Sequence, residues 1–132
     1  MTTHAISTFK VASWDEKTYE EMAEGKKLNR SSVTYTYEGD IVGESLGESL
    51  MFYPSEKTAS FVGIERITGT IGGRTGSFVL QGSGTYDGTT ARNNCTILPD
   101  SGTGELRGIR GEAKMEAGHG PGGTLTLDYD FE

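Results

Sequence analysis

The chain has 132 residues, the length of one ordinary domain. Nineteen acidic against twelve basic side chains give a formal charge of −7, which excludes the basic field that a nucleic-acid groove needs. A single cysteine, Cys95, excludes a disulfide within the chain, and apolar runs of four or five residues are too short to span a bilayer. No charged-then-apolar leader follows Met1, so the expected location is the cytoplasm.

Twenty glycines, many in pairs and triplets, separate runs rich in Thr, Val, Ile and aromatic residues. Glycine takes positive φ at little steric cost, so such clusters mark turns between short strands. Residues 3–13 alternate, with Ala5, Phe9 and Val11 opposed to His4, Thr8 and Lys10. Residues 14–27 break the pattern with eight charged side chains, and read as a solvated loop or a short helical turn carrying Tyr19, Met22 and Ala23. Residues 28–38 set Val33, Tyr35 and Tyr37 on one face. Residues 41–53 place Leu46, Glu48, Leu50 and Phe52 together. Residues 58–70 oppose Phe61, Gly63, Glu65 and Ile67 to Val62, Ile64 and Arg66, and residues 75–86 oppose Phe78 and Leu80 to Val79 and Gln81. Asp87-Gly88 is a hairpin signal before a strand at 90–98. Residues 124–131 end the series, with Leu125, Leu127, Tyr129 and Phe131 on one face. About eight strands with short connections and no crossover helix imply antiparallel pairing. Alternation by itself fits a closed barrel or a two-sheet sandwich.

The stretch Gly102-Thr103-Gly104-Glu105-Leu106-Arg107-Gly108-Ile109-Arg110-Gly111 lacks a period of two. Its three-residue spacings predict one helical turn that buries Leu106 and Ile109, exposes Arg107 and Arg110, and plugs one end of the fold. This stretch resembles the glycine-rich segment of allene-oxide-cyclase-like and dirigent-like barrels. With Ser13-Trp14-Asp15-Glu16, the runs Phe61–Arg66 and Gly76–Gln81, and the ending Leu127–Glu132, the chain resembles the DUF3224 family of unknown function. The resemblance implies a closed eight-stranded antiparallel β-barrel, usually oligomeric, among relatives that include cyclases and proteins that steer coupling without chemistry of their own. Two positions depart from the family's pattern: Gly82 stands where His is frequent, and Cys95 where Trp is. A histidine acid or base at the first of these is therefore absent.

Candidate chemistry is sparse. Gly118–Gly123 matches G-x-G-x-x-G in letters, but a strand follows it and Pro121 lacks an amide, so it reads as a hairpin loop. Asn94-Cys95-Thr96 is a chance sequon without a secretory signal. His4 and His119 have no partners at metal-ligand spacing, so no metal and no cofactor are expected. Cys95 has no evident base or cation nearby and reads as a small core residue. Glu48 and Glu65 each share a face with apolar residues. A carboxylate on an inward face must find donors or hold a proton, which would give a barrel lumen its general acid or base. The other reading of either is a solvated or paired surface carboxylate, with Arg30 or Arg66 as the partner. Gln81 is a candidate to orient a ligand or to touch Glu65, and Tyr35, with Tyr86 and Tyr129, to supply an apolar wall with a polar tip. The expected function is binding of a mostly apolar small molecule in the lumen or mouth, with cyclase- or isomerase-type steering. The alternative is a carrier or assembly module whose barrel its own side chains fill. No nucleic-acid or membrane partner is expected. Strands 58–70 and 75–86 are apolar on both faces, which predicts a homo-oligomer, a dimer favoured, unless the 14–27 segment covers the outer face.

Overall fold

The computed structural model describes residues 2–118, 120 and 122–132. Eight strands follow one another around a closed barrel: β1 (Thr3–Glu21), β2 (Lys27–Gly39), β3 (Ile41–Tyr53), β4 (Ala59–Ile71), β5 (Arg74–Tyr86), β6 (Ala91–Ile97), β7 (Ile109–Ala117) and β8 (Gly122–Phe131). Every strand pairs antiparallel with its neighbours in sequence. β1 closes the ring by pairing Thr3–Lys10 with Tyr129–Gly122 of β8. Closure removes the sandwich alternative and leaves no open sheet edge around the ring. Among the described residues no helix is long and apolar enough to cross a membrane.

Two stretches differ from the sequence reading. The 14–27 segment is no loop: β1 runs on to Glu21 as a ribbon past its pairing with β8 and pairs with Lys27–Thr34 of β2, which β3 pairs on its other side, and one 3₁₀ turn, Ala23–Gly25, joins β1 and β2. Both faces of that part of β1 are largely solvated, so it has no hydrophobic alternation to betray it. The strand β7 was not delineated from the sequence, although Ile109, Ala113 and Met115 are buried and Arg110, Glu112, Lys114 and Glu116 are exposed. Gly111, Ala113 and Ala117 share its inward face with Ile109 and Met115, which weakens the pattern.

The stretch before β7 makes the expected turn, a 3₁₀ helix at Gly104–Leu106. Its place follows from register. β5 pairs with β4 along its whole length but with β6 only from Leu80 onward. The first half of β5 would therefore show bare backbone. Residues 98–103 take up that edge: Leu98 and Thr103 donate their amides to the carbonyls of Val79 and Ser77, and the hydroxyls of Ser101 and Thr103 accept from the amides of Val79 and Ser77. The approach is so close that a Cβ on Gly76 would lie 2.0 Å from the Thr103 carbonyl oxygen. Leu106 and Ile109 then point into the core, and Arg107 and Arg110 into water.

At this closed end the interior is solid, packed with Ile41, Ile67, Ile71, Phe78, Leu125 and Leu127. Leu106 is part of that cluster, at 1% exposure. Leu106→Ala should therefore lower stability by about 2–5 kcal/mol, whereas Arg107→Ala should change it by less than about 0.5 kcal/mol. Paired thermal melts of the two variants test the seal; equal melting temperatures would overturn it.

Candidate functional site

The other half of the barrel is hollow. Side-chain size at the inward positions makes it so. Along the mouth half of β3 and β4 the inward positions include Gly47, Ser49 and Gly63 between the larger Met51 and Phe61, and Leu46, Leu50, Val62 and Ile64 point outward. Gly63 also serves the coiling of the wall, since a Cβ there would lie 2.5 Å from the Glu48 carbonyl oxygen. With Gly82, Cys95, Ala91 and Ala117 on the following strands, the lumen keeps a cavity of about 350 Å³ that opens at one end. Phe9, Val33, Tyr35, Phe61, Leu80 and Met115 give it mostly apolar walls.

Glu65 projects from β4 into this cavity, above the packed core. The Tyr37 phenol and the Ser45 hydroxyl both donate to its Oε2, the latter at 2.7 Å. Among the described residues none donates to Oε1. Burial pushes the Glu65 carboxyl above its ordinary value, and the two hydroxyl bonds oppose that shift without cancelling it. The carboxylate in turn raises the phenols of Tyr37 and Tyr35, which burial already holds above the ordinary tyrosine range. Tyr35 stands edge-on to Phe9 at 5.2 Å, and its hydroxyl has no hydrogen-bond partner among the described residues.

The mouth carries a second polar cluster. Glu16, on the ribbon part of β1, accepts from Trp14 Nε1 at 3.0 Å through one oxygen. Through the other it accepts from Asn29 Nδ2 at 2.6 Å and the Tyr53 hydroxyl at 2.8 Å. Thr18 donates to Asn29 Oδ1 at 2.8 Å. This cluster holds Trp14 and Tyr53, both lining residues, in fixed positions at the rim.

The four residues singled out from the sequence therefore divide. Glu65 and Tyr35 meet in the cavity. Glu48 faces outward, where Arg30 holds one carboxylate oxygen at 2.9 Å and Ser32 donates to the other. Its apolar neighbours suggested an inward face, but the hollow lumen reverses the size pattern on that strand. Gln81 is exposed on the outer wall and does not touch Glu65; Tyr37 and Ser45 take that place. Tyr37 shares the face of Val33 and Tyr35, and that parity was the available signal. Ser45 and Glu16 carried none, because their neighbours across the sheet are distant in sequence.

Of the remaining candidates, Tyr86 lines the cavity and donates to the Gly88 carbonyl, and Tyr129 packs edge-on against Phe131. Cys95 faces the cavity with its thiol pushed up to about 12 by burial and by Glu65. The neighbouring Asn93 Oδ1 is buried without a hydrogen-bond partner. His4 is exposed and bonded to Asp128 at 2.6 Å. No group of three or more His, Cys, Asp or Glu side chains suited to a metal occurs among the described residues. His119 and Pro121 lie outside them.

A pH dependence follows from Glu65. A carboxyl raised in the folded chain keeps its proton where the unfolded chain, near the ordinary 4.5, has lost it. Folding is thus favoured below the unfolded value and loses stability as pH rises toward the folded one. Glu65→Gln removes this loss while keeping an acceptor for Tyr37 and Ser45. Its melting temperature relative to the native protein should climb between about pH 4 and about pH 8. Parallel melting curves across that range would overturn the assignment.

The profile of the DUF3224 family, described as a protein of unknown function, matches residues 5–129. A crystal structure of a protein with unknown function from that family, from Shewanella oneidensis MR-1, superposes with a TM-score of 0.80 at 27% identity. The alignment covers 100% of this chain and 99% of that one. No curated protein matches.

Proposed function

Because the chain belongs to the DUF3224 family, whose description assigns no activity, we propose a function from its own barrel: it binds a mostly apolar small molecule in the hollow half. Glu65 meets the ligand's polar group. One observation carries this reading. At the floor of a mostly apolar cavity stands a carboxyl group with one oxygen claimed by two hydroxyls and the other unclaimed among the described residues.

The cavity volume falls at the lower end of the range of small-molecule sites, about 300–1,000 Å³. In such surroundings an anionic ligand is disfavoured, because it would enter without a counter-charge beside an acidic group. With its proton on Oε1, Glu65 donates to a ligand oxygen while Oε2 accepts from Tyr37 and Ser45. That arrangement polarises a carbonyl or ether oxygen, and the rigid aromatic walls restrict the ligand's conformations. These are the two contributions that a cyclisation or isomerisation needs from a protein of this kind. A second reading, a carrier without chemistry, is favoured by Cys95: burial and Glu65 push its thiol up, so this cysteine offers the lumen no activated nucleophile.

The test uses the neutral fluorophore N-phenylnaphthylamine. The native protein should show saturable binding, and Ala91→Phe, which narrows the opening, should weaken it by about tenfold or more. Absence of saturable binding would sink the proposal. Native mass spectrometry of protein purified from its source then identifies the bound compound. Glu65→Gln separates the two readings: conversion of that compound stops in the variant if Glu65 acts as an acid, and the native protein returns it unchanged if the barrel is a carrier.

A further inference from the structure

Polar groups left without partners gather on one wall of the lumen. Ser31 of β2 and Ser49 of β3 stand opposite each other and line the cavity. Neither hydroxyl has a hydrogen-bond partner among the described residues. Ser31 is only 3% exposed, so the cavity is its one outlet. Gly63 makes room for the pair, since a Cβ there would lie 2.5 Å from Ser49 Oγ. Gly47 does the same nearer the floor: a Cβ on it would stand 3.7 Å both from the Tyr35 ring edge and from the Glu65 stem, so those side chains flank one point. The Tyr35 hydroxyl and Glu65 Oε1 are both unclaimed among the described residues. The facing wall differs. Leu80, Met115 and Ala117 are apolar, Tyr86 donates to the Gly88 carbonyl, and the unpartnered Asn93 Oδ1 is packed against Gly82 and closed to solvent. At the rim, Glu16 takes the donors of Trp14, Asn29 and Tyr53. Hydroxyls turned to a mostly apolar space without partners are unfavourable, and alanine at either position would avoid that cost. The two serines therefore form a polar station that the fold itself does not use.

We propose that the ligand of this cavity is a neutral keto-alcohol, with its carbonyl oxygen between Glu65 and Tyr35 at the floor and its hydroxyl on Ser31 and Ser49 nearer the mouth. The inference rests on the reading of the cavity as a binding site and gives its ligand a chemical class. Donor and acceptor capacity selects the two groups. At the floor the Glu65 carboxyl, with its proton on Oε1, and the Tyr35 phenol both donate, and a carbonyl oxygen accepts two such bonds. At the serines each hydroxyl donates and accepts, so a ligand hydroxyl donates to one and accepts from the other. A charged group there would be buried with only hydroxyls to meet it. Register sets the spacing: Gly47, which the Glu65 stem overlies, and Ser49 are two residues apart on β3, a rise of about 7 Å. The ligand's two oxygens then lie about 7 Å apart along one edge, and its apolar remainder rests on Leu80 and Met115. Two-point contact also fixes direction, with the carbonyl end entering first.

Competition against N-phenylnaphthylamine on the full chain tests this with three probes of one shape. The first, p-(hydroxymethyl)benzophenone, carries both oxygens at about the required spacing. In p-ethylbenzophenone a methyl group replaces the hydroxyl, and p-benzylbenzyl alcohol lacks the carbonyl. The native protein should bind the first about fivefold or more tighter than either of the others, although both are more apolar. Ser31→Ala/Ser49→Ala should erase the preference over p-ethylbenzophenone and keep the preference over p-benzylbenzyl alcohol. Tyr35→Phe should reduce the second preference and keep the first. Gln81→Ala, on the outer wall, should leave both ratios unchanged. The keto-alcohol is overturned, and the apolar site stands, if the fluorophore binds but the native protein takes p-ethylbenzophenone equally well or better. The same holds if the preference survives loss of both serines. If the fluorophore finds no saturable site, the site itself falls, and the keto-alcohol with it.

Discussion

Closure of the ring is the constraint on which the rest depends. Once β1 pairs with both β2 and β8, the lumen has a fixed bore, and every second residue of eight strands must share it. The chain fills that bore unevenly. At one end isoleucines, leucines and Phe78 meet in a solid core, and at the other glycines, serines and alanines leave space. Strand number sets the diameter, and side-chain size along the axis decides where the barrel is solid and where it is open.

Glu65 sits where the two regimes meet. Deeper in the core it would have no donors beyond those it has, and nearer the mouth water would hold it ionised. At the boundary it is desolvated enough to favour its protonated form, yet it still faces free space. Tyr37 and Ser45 come from two other strands, so the position of Oε2 is fixed by three elements of the wall at once. A group oriented this way needs little reorganisation when a ligand arrives, which is the property that makes a buried dipole or acid useful.

The hollow lumen also has consequences outside. Strands β3 and β4 cannot pack inward where their inner residues are smallest, and their larger aliphatic side chains lie on the outer face instead. The cavity and the outer apolar patch are two sides of the same inversion. The mouth is held separately, by the Glu16 cluster that ties the far part of β1 to Asn29 of β2 and Tyr53 of β3. The polar groups of the rim and the acid of the floor therefore belong to independent hydrogen-bond systems.

Strand existence and facing were legible in the sequence wherever one side of a strand is apolar and the other polar, as in β2 and β8. The turn that buries Leu106 was legible from its spacing, as was the burial of Ile109, although Ile109 opens β7 rather than sharing the turn. So was the inward placement of Glu65, because Phe61 and Ile67 share its parity. Glu48 had the same local signature and points the other way. The rule that apolar residues face inward assumes a filled interior, and only the closed ring shows that this part of the lumen is empty. The ribbon of β1 was illegible for a related reason: it buries neither face, so backbone pairing holds it without any hydrophobic period. Alternation determined by itself which residues share a face. Which face is inside, and which hydroxyls reach Glu65, depended on pairings between strands far apart in the chain, and those are fixed only when the barrel closes.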